Sequence, residues 1–288
     1  QLLRPRRRPS TSPTVLVTGG GGGLGAAAAR LLARRGWWVF AGDLPGPALD
    51  AVGTEPGVSA VELDVTDDAS VAGAVDRVRA EAGGLDAVVN FAGILEVGSV
   101  AELPVEVVRR VLEVNVLGTY RVNAAALPSL VERRGRIVNI SSETGWQSGA
   151  PFNGAYAMSK HAVEAYSDSL RRELALVGVR VVKVQPGPFR TSMTTSVGER
   201  FTRAAERSER FGAVLRYGGE VAAREERHAR DPSVLAEVVH HALTTRRPRP
   251  AYSVHPGRSR VLLERLPTRV ADAVITAALR RKANPAAS

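Results

Sequence analysis

Tyr156 and Lys160 stand four residues apart in Tyr156-Ala157-Met158-Ser159-Lys160. On a helix that spacing puts both side chains on one face. A phenol is a weak acid with an unperturbed pKa of about 10. A neighbouring ammonium favours the phenolate and draws that value toward neutrality. Such a pair can take a proton from an alcohol or return one to a carbonyl. Tyr and Lys at this spacing also fall together by chance on solvated helices, so the reading depends on the rest of the chain.

Two features upstream give the pair something to act beside. Thr18-Gly19-Gly20-Gly21-Gly22-Gly23-Leu24-Gly25 follows the β-branched run Thr14-Val15-Leu16-Val17 and precedes a helical pattern carried by Leu24, Ala28, Leu31 and Leu32. Strand, glycine turn and helix together form a phosphate-binding start. The glycines admit a pyrophosphate close to the backbone, and the helix N-terminus offers N–H groups and the positive end of its dipole. Asp43 closes the next apolar run, Trp37 to Gly42. An acidic residue there accepts hydrogen bonds from a ribose and repels a 2′-phosphate. No basic side chain interrupts the glycines and Leu44-Pro45 follows Asp43, so NAD is expected over NADP.

These residues need a scaffold. Apolar runs at Thr14–Thr18, Trp38–Gly42, Val58–Leu63, Asp86–Asn90, Arg136–Ile140, Val179–Val184 and Ala251–Val254 read as strands. Helical patterns fall between them near Ala69–Ala82, Val105–Arg134 and Tyr156–Val177. Gly83-Gly84, Gly135 and Gly178 are candidate helix stops. The alternation predicts an α/β fold: a Rossmann-type, doubly wound parallel sheet of about seven strands with helices on both faces. The site then lies at the carboxyl ends of the strands.

With these motifs in order, the chain resembles the short-chain dehydrogenase/reductase family from about Thr14 to about Tyr252. The family's glycine pattern matches Thr18, Gly19, Gly23 and Gly25, with Leu24 between the last two. Its adenine-framing pair matches Asp64-Val65, and its Asn-Asn-Ala-Gly stretch appears as Asn90-Phe91-Ala92-Gly93. Its active-site Asn and Ser match Asn115 and Ser142, and its nicotinamide-side pattern matches Pro186-Gly187 and Thr191. Phe91 stands where the family has a second Asn, and the step from Ser142 to Tyr156 is one residue longer than usual. Ser141 is the alternative to Ser142.

The resemblance implies roles. Tyr156 exchanges a proton with the substrate oxygen, Lys160 lowers the Tyr156 pKa and binds the nicotinamide ribose, and Ser142 hydrogen-bonds the substrate oxygen. Asn115 holds a water that links Lys160 to solvent. The resemblance also implies a homodimer or homotetramer through Val105–Arg134 and Tyr156–Val177. The stretches Pro151–Tyr156, Glu164–Leu174 and Leu266–Val270 are similar to the retinol and 17β-hydroxysteroid dehydrogenase branch, which implies a bulky apolar alcohol or ketone. Trp146, Phe152, Phe189 and Met193 are candidates to line its pocket with Ser142. A lid is expected at about 192–231, where Phe201, Phe211, Leu215 and Tyr217 are spaced through a charged segment.

Composition sets outer bounds. The 288 residues fit one catalytic domain over 14–255 with an N-terminal arm, 1–13, and a basic tail, 256–288. There is no Cys, hence no disulfide or thiolate chemistry, and His161, His228, His240, His241 and His255 lack zinc-protease spacing. The net charge of +10 resides at the ends: +4 in residues 1–13 and +8 in 246–288, leaving −2 for the body. A nucleic-acid binder is therefore not expected, since its basicity would face the ligand. The arm, rich in Arg, Pro and Ser, reads as disordered and lacks a secretory apolar core. Gln1 is not an initiator Met, so residues preceding it are expected. No segment reaches the roughly 20 apolar residues of a membrane span. A cytoplasmic location is expected. Val261, Leu262, Leu263, Leu266, Val270, Val274 and Ile275, beside Arg258, Arg260, Arg265 and Arg269, form either a C-terminal helix packed over the lid or an interfacial helix on an anionic membrane. A cofactor-sensing or partner-binding protein of the same fold is the alternative to an enzyme.

Overall fold

The computed structural model describes residues 12–191, 196–227 and 229–283. Seven parallel strands form one sheet: β1 (Thr14–Thr18), β2 (Trp38–Asp43), β3 (Val58–Glu62), β4 (Ala87–Asn90), β5 (Arg136–Ile140), β6 (Arg180–Pro186) and β7 (Ala251–Val254), in the order β3-β2-β1-β4-β5-β6-β7. The order reverses between β1 and β4. Crossovers leave in opposite directions there, which opens a crevice at the strand ends. The expected fold class is the one observed.

The strands are buried on both faces, as a parallel sheet requires. Val15 and Val17 of β1 point into one core with Val39, Ala41, Val89 and Val138. Leu16, between them, points into the other with Phe40, Val88 and Ile137. Helices α1 (Gly23–Arg34) and α2 (Pro47–Gly53) cover the first face. Helices α3 (Asp68–Ala82), α4 (Val105–Leu112), α5 (Thr119–Glu132) and α6 (Gly154–Leu174) follow, and α3 and α5 supply much of the second core. Beyond β6 come α7 (Val197–Arg207), α8 (Gly212–Arg227), α9 (Pro232–Thr244), α10 (Arg258–Leu263) and α11 (Thr268–Ala283). Helix α9 returns to the first face beside α1. Its Asp231 cap accepts from the Ser233 N–H at 2.9 Å.

Two expectations on the helices need correction. The single helix over Val105–Arg134 is three pieces, because residues Glu113–Gly118 between α4 and α5 form a π-helical turn. Such turns leave the regular ladder and concentrate at functional sites, and this one carries Asn115. Gly135 does not stop α5. The left-handed residue is Arg134 at φ 48°. Gly135 instead allows a close approach, since a Cβ there would lie 2.6 Å from the Asp86 carbonyl oxygen. Gly83 and Gly178, by contrast, do adopt the left-handed cap.

Beneath the site runs a buried amide network. The Asn90 side chain donates to Asn123 and Asn139 at 2.7 and 2.9 Å, and Asn139 donates to Ser167 at 2.9 Å. It ties β4 and β5 to α5 and α6. Polar side chains at this depth are tolerated because most of their atoms satisfy one another, although the Asn90 side-chain oxygen has no partner among the described residues.

Candidate active site

The ends of β1, β2, β4, β5 and β6 border a cleft of about 680 Å³. Its floor on the β1 side is the glycine turn. Gly19 has φ 65° and packs on Ala92, while a Cβ on Gly25 would stand 2.0 Å from the Gly19 carbonyl oxygen. Any larger residue at 25 would force the turn apart. Helix α1 has no side-chain cap at its N-terminus, so its first N–H groups are available to an anion. The Asp43 carboxylate accepts from the N–H groups of Gly21 and Leu44 at 2.9 and 2.8 Å and borders the cleft. A cradle that excludes a methyl group and ends in free helix N–H groups fits a dinucleotide pyrophosphate.

Gly19, Gly23, Leu24, Gly25, Asp43, Asp64, Val65, Ala92, Gly93, Pro186 and Thr191 all border this cleft with Tyr156 and Lys160. Thr18 and Asn90 lie just beneath it, both buried; the Thr18 hydroxyl accepts from the Ala92 N–H at 3.2 Å. Asp64 is held below the usual carboxylate range, chiefly by hydrogen bonds from the Thr66 hydroxyl and N–H. Gly187 supports the floor rather than lining it: a Cβ there would meet the His255 carbonyl oxygen at 2.1 Å.

Tyr156 opens α6 and Lys160 follows one turn later. The Lys160 ammonium donates to the Ile140 carbonyl at 2.9 Å and lies 5.6 Å from the Tyr156 ring centre. Burial pulls Lys160 down to about 8, against the raising influence of Glu164. Tyr156 moves the other way. Burial pushes its phenol up to about 12, a hydrogen bond with Ser142 opposes the rise, and the Glu143 carboxylate adds to it. The expectation that Lys160 lowers the phenol is not met. Desolvation outweighs every charge near the ring, and the ammonium is turned to Ile140.

Ser142 lies close enough to the phenol to favour its ionised form. The Ser141 hydroxyl faces the Lys160 carbonyl at 3.4 Å, and Ser141 rather than Ser142 borders the cleft itself. The longer loop between Ser142 and Tyr156 turns through a left-handed Phe152 at φ 65°. Asn115 sits one layer out. Its amide accepts from the Ile94 N–H at 2.8 Å and donates to the Ile94 carbonyl and the Ser159 hydroxyl at 3.0 and 2.9 Å. Both amide hydrogens are therefore taken, and the side chain fixes the wall at Gly93-Ile94.

The expected substrate residues divide. Phe152 packs its ring 5.7 Å from that of Phe211 at the start of α8. Phe189 does not face the cleft: it is 1% exposed in the core beneath α9, because its segment bridges Arg230 in parallel. Trp146 is outward and 39% exposed. Met193 lies outside the described residues.

Helices α7 and α8, in the segment expected to form a lid, dock on the loop after β4. Arg200 donates to the Leu95 carbonyl at 2.6 Å and pairs with Glu96 at 3.2 Å. Glu102 accepts from Ser208 and from the Arg210 N–H at 2.6 and 3.1 Å. Helix α11 packs against α8, with the Lys282 ammonium 4.9 Å from the Tyr217 ring. None of Arg200, Glu102 and Glu143 is singled out by motif or periodicity, because their role depends on contacts distant in the chain. Gln147 is a further case. It is 2% exposed and neither its amide oxygen nor its nitrogen has a partner among the described residues.

A family model described as short chain dehydrogenase matches residues 13–201. The chain belongs to the short-chain dehydrogenase family. It is 39% identical over 238 residues to retinol dehydrogenase 5 of Mus musculus, covering 77% of this chain and 74% of the relative. It is 35% identical over 240 residues to 17-beta-hydroxysteroid dehydrogenase type 6 of Homo sapiens, with 77% and 74% covered. Among solved structures, an actinorhodin polyketide ketoreductase variant with NADPH superposes with a TM-score of 0.75 at 30% identity, covering 88% of this chain and 98% of that one. This dehydrogenase is thus an oxidoreductase of the retinol and hydroxysteroid branch, and its family binds a nicotinamide cofactor.

Proposed function

We propose that this dehydrogenase interconverts an apolar secondary alcohol and its ketone, of steroid-like or retinoid-like bulk, with NAD(H) as cofactor. The observation that carries the reading is the placement of Tyr156 and Lys160, one helical turn apart, on the same cleft as the glycine turn and Asp43, with Ser142 near enough to favour the ionised phenol. When bound, a nicotinamide supplies or accepts the hydride, and its oxidised form brings a positive charge to the cleft. Tyr156 gives its proton to the substrate oxygen in the reducing direction and takes it back in the oxidising one. Ser142 holds that oxygen within reach of the phenol. Lys160, now donating to the Ile140 carbonyl, would hold the nicotinamide ribose. Asn115 keeps the Gly93-Ile94 wall fixed. The lid and Phe152 exclude water and supply apolar surface, and the names of the relatives support a substrate of this kind.

The direction of the Tyr156 shift fixes a pH dependence. A phenol raised to about 12 is protonated at neutral pH, ready to act as an acid. Reduction of a ketone is expected to hold steady from pH 6 to 8. Oxidation of the alcohol needs the phenolate and is expected to climb steadily from pH 7 to 10. Initial rates in both directions across buffers of constant ionic strength check this. An oxidation rate independent of pH while chemistry limits turnover would contradict it.

Asp43 supports NAD over NADP. Its carboxylate, held by Gly21 and Leu44, stands at the cleft edge where a 2′-phosphate would bring a second negative charge. Like charges juxtaposed at a binding site cost several kcal/mol. Asp43→Ser is expected to shift the ratio of kcat/KM values toward NADP by about 100-fold, on the basis of that cost. Parallel titrations with the two cofactors measure it, and an unchanged ratio would remove Asp43 from cofactor choice.

The C-terminal segment supports peripheral contact with an anionic membrane. Among the described residues no helix is long and apolar enough to cross a bilayer. Leu262, Leu266, Val270 and Val274 nevertheless recur every fourth residue with exposures of 62%, 37%, 47% and 50%, beside Arg265 and Arg269. The four lie on two helices and the link between them, Leu262 on α10 and Val270 and Val274 on α11, and exposed apolar side chains beside cations suit an interfacial segment. Flotation with vesicles containing phosphatidylserine at physiological salt is expected to recover the protein. Recovery equal to that with neutral vesicles would sink this part of the reading.

A further inference from the structure

Glu143 directly follows Ser142, and its side chain is 8% exposed. The groups that hold it come from the far end of the chain. The Gly257 N–H donates to it at 2.6 Å and Arg260 of α10 pairs with it at 3.5 Å. A second clamp lies five residues on, where Glu264 accepts from the Ser148 N–H and hydroxyl at 2.8 and 3.1 Å. The loop between the serine and the tyrosine is thus gripped twice by residues 257–264, and nothing else in the proposed chemistry uses Glu143.

We propose that Glu143 is a positioning residue through which the C-terminal segment sets both the placement of Ser142 against Tyr156 and the charge beside the phenol. The proposal rests on the dehydrogenase reading for its consequence in turnover, but the contact itself does not. A buried carboxylate held by one N–H and one guanidinium keeps the backbone of its neighbour in place. Its negative charge faces Tyr156 and disfavours the phenolate, while Arg260 partly offsets that charge. The other charged and titratable groups around the pair are Lys160 and Glu164 on α6, Lys183 on β6, Asp168 beside Lys183, His255 after β7, and Glu264. Lys160 faces Ile140. Glu164 is shared by Lys183 at 2.8 Å and Gln185 at 2.9 Å. Glu264 is held by Ser148. None of these reaches the Glu143 carboxylate with a contact as close as the Gly257 and Arg260 pair.

The signs of the two substitutions are opposite. Glu143→Gln keeps the shape and the Gly257 contact but removes the charge, so Tyr156 ionises at lower pH. Arg260→Met leaves the carboxylate without its cation, so Tyr156 ionises at higher pH. The test is the Tyr156 resonance in protein labelled with [13Cζ]tyrosine, assigned by its loss in Tyr156→Phe and followed from pH 7 to 11 in wild type and both variants. The expected shift is about one pH unit downward for Glu143→Gln, no earlier ionisation than wild type for Arg260→Met, and the Glu143→Gln behaviour in the double variant. In turnover, Arg260→Met is expected to lower kcat by about tenfold through misplacement of Ser142, with NADH affinity unchanged. A merely structural contact would lower activity in both variants and leave the Tyr156 titration where it was. That result, in variants with wild-type thermal melting, would overturn the proposal. Because the titration needs no turnover, failure of the dehydrogenase reading would show as inactivity in every protein while the earlier ionisation in Glu143→Gln remained.

Discussion

Tyr156→Phe is expected to lower turnover by about 10³-fold, within the range that a positioned acid–base group contributes, and to leave dinucleotide binding intact. The ring near the start of α6 is retained; only the hydroxyl is lost. The loss should therefore fall on kcat, while KM for the alcohol changes little, because the proton is exchanged in the transition state rather than on binding. Tightly bound NADH measured by fluorescence in the inactive variant would separate chemistry from folding. A variant with near wild-type turnover would move the acid–base role off Tyr156, and no other phenol among the described residues borders the cleft.

Gly25→Ala carries the second large effect, on the other side of the same cleft. A methyl group at 25 would sit 2.0 Å from the Gly19 carbonyl oxygen and 2.7 Å from its carbon. The clash is with backbone, so no rotamer relieves it. Either the turn opens or α1 shifts along its axis. Overpacking of this kind costs about 1–3 kcal/mol, which here falls on the geometry that receives the pyrophosphate. NADH affinity is expected to fall by about 10- to 100-fold, that cost expressed as a binding constant, with a modest fall in Tm. Isothermal titration gives the affinity directly. Unchanged NADH binding would place the dinucleotide elsewhere than on this turn.

These two residues also show what a sequence can and cannot display. The glycine turn is legible because only Gly satisfies both a left-handed φ and a backbone contact, so the constraint is written in the residue type. The strands are legible for a related reason: a parallel sheet buried on both faces demands continuous β-branched and apolar runs, and Val15-Leu16-Val17 or Val88-Val89 can hardly serve otherwise. Tyr156 and Lys160 are legible as a pair and border one cleft, with Ser142 buried behind its edge. The π-turn at Glu113–Gly118 is not, because its extra backbone residue leaves no mark on residue type. Gly135 reads as a helix stop by type, yet Arg134 takes the strained conformation while Gly135 admits the Asp86 carbonyl.

Electrostatics is the least legible layer. A lysine one turn from a tyrosine predicts a lowered phenol when the charge term is considered alone. The fold adds burial and a carboxylate, and the sum reverses the sign. Phe189 makes the same point for packing. An aromatic residue just beyond the β6 end looks placed for a substrate, but the pairing with Arg230 draws it into the core. The helix Pro232–Thr244 is absent from the sequence reading, because its apolar face matches α1 only once the chain has returned across the sheet.

The most direct test of the central claim is isotope transfer. A bulky apolar secondary alcohol, such as a hydroxysteroid with deuterium at the carbinol carbon, is incubated with the protein and NAD at pH 9. The recovered nicotinamide is then examined by mass spectrometry. The account predicts one deuterium in NADH, absent with Tyr156→Phe. Firm NADH binding with no transfer from any steroid, retinoid or aliphatic alcohol would contradict it and leave a cofactor-binding protein without this chemistry.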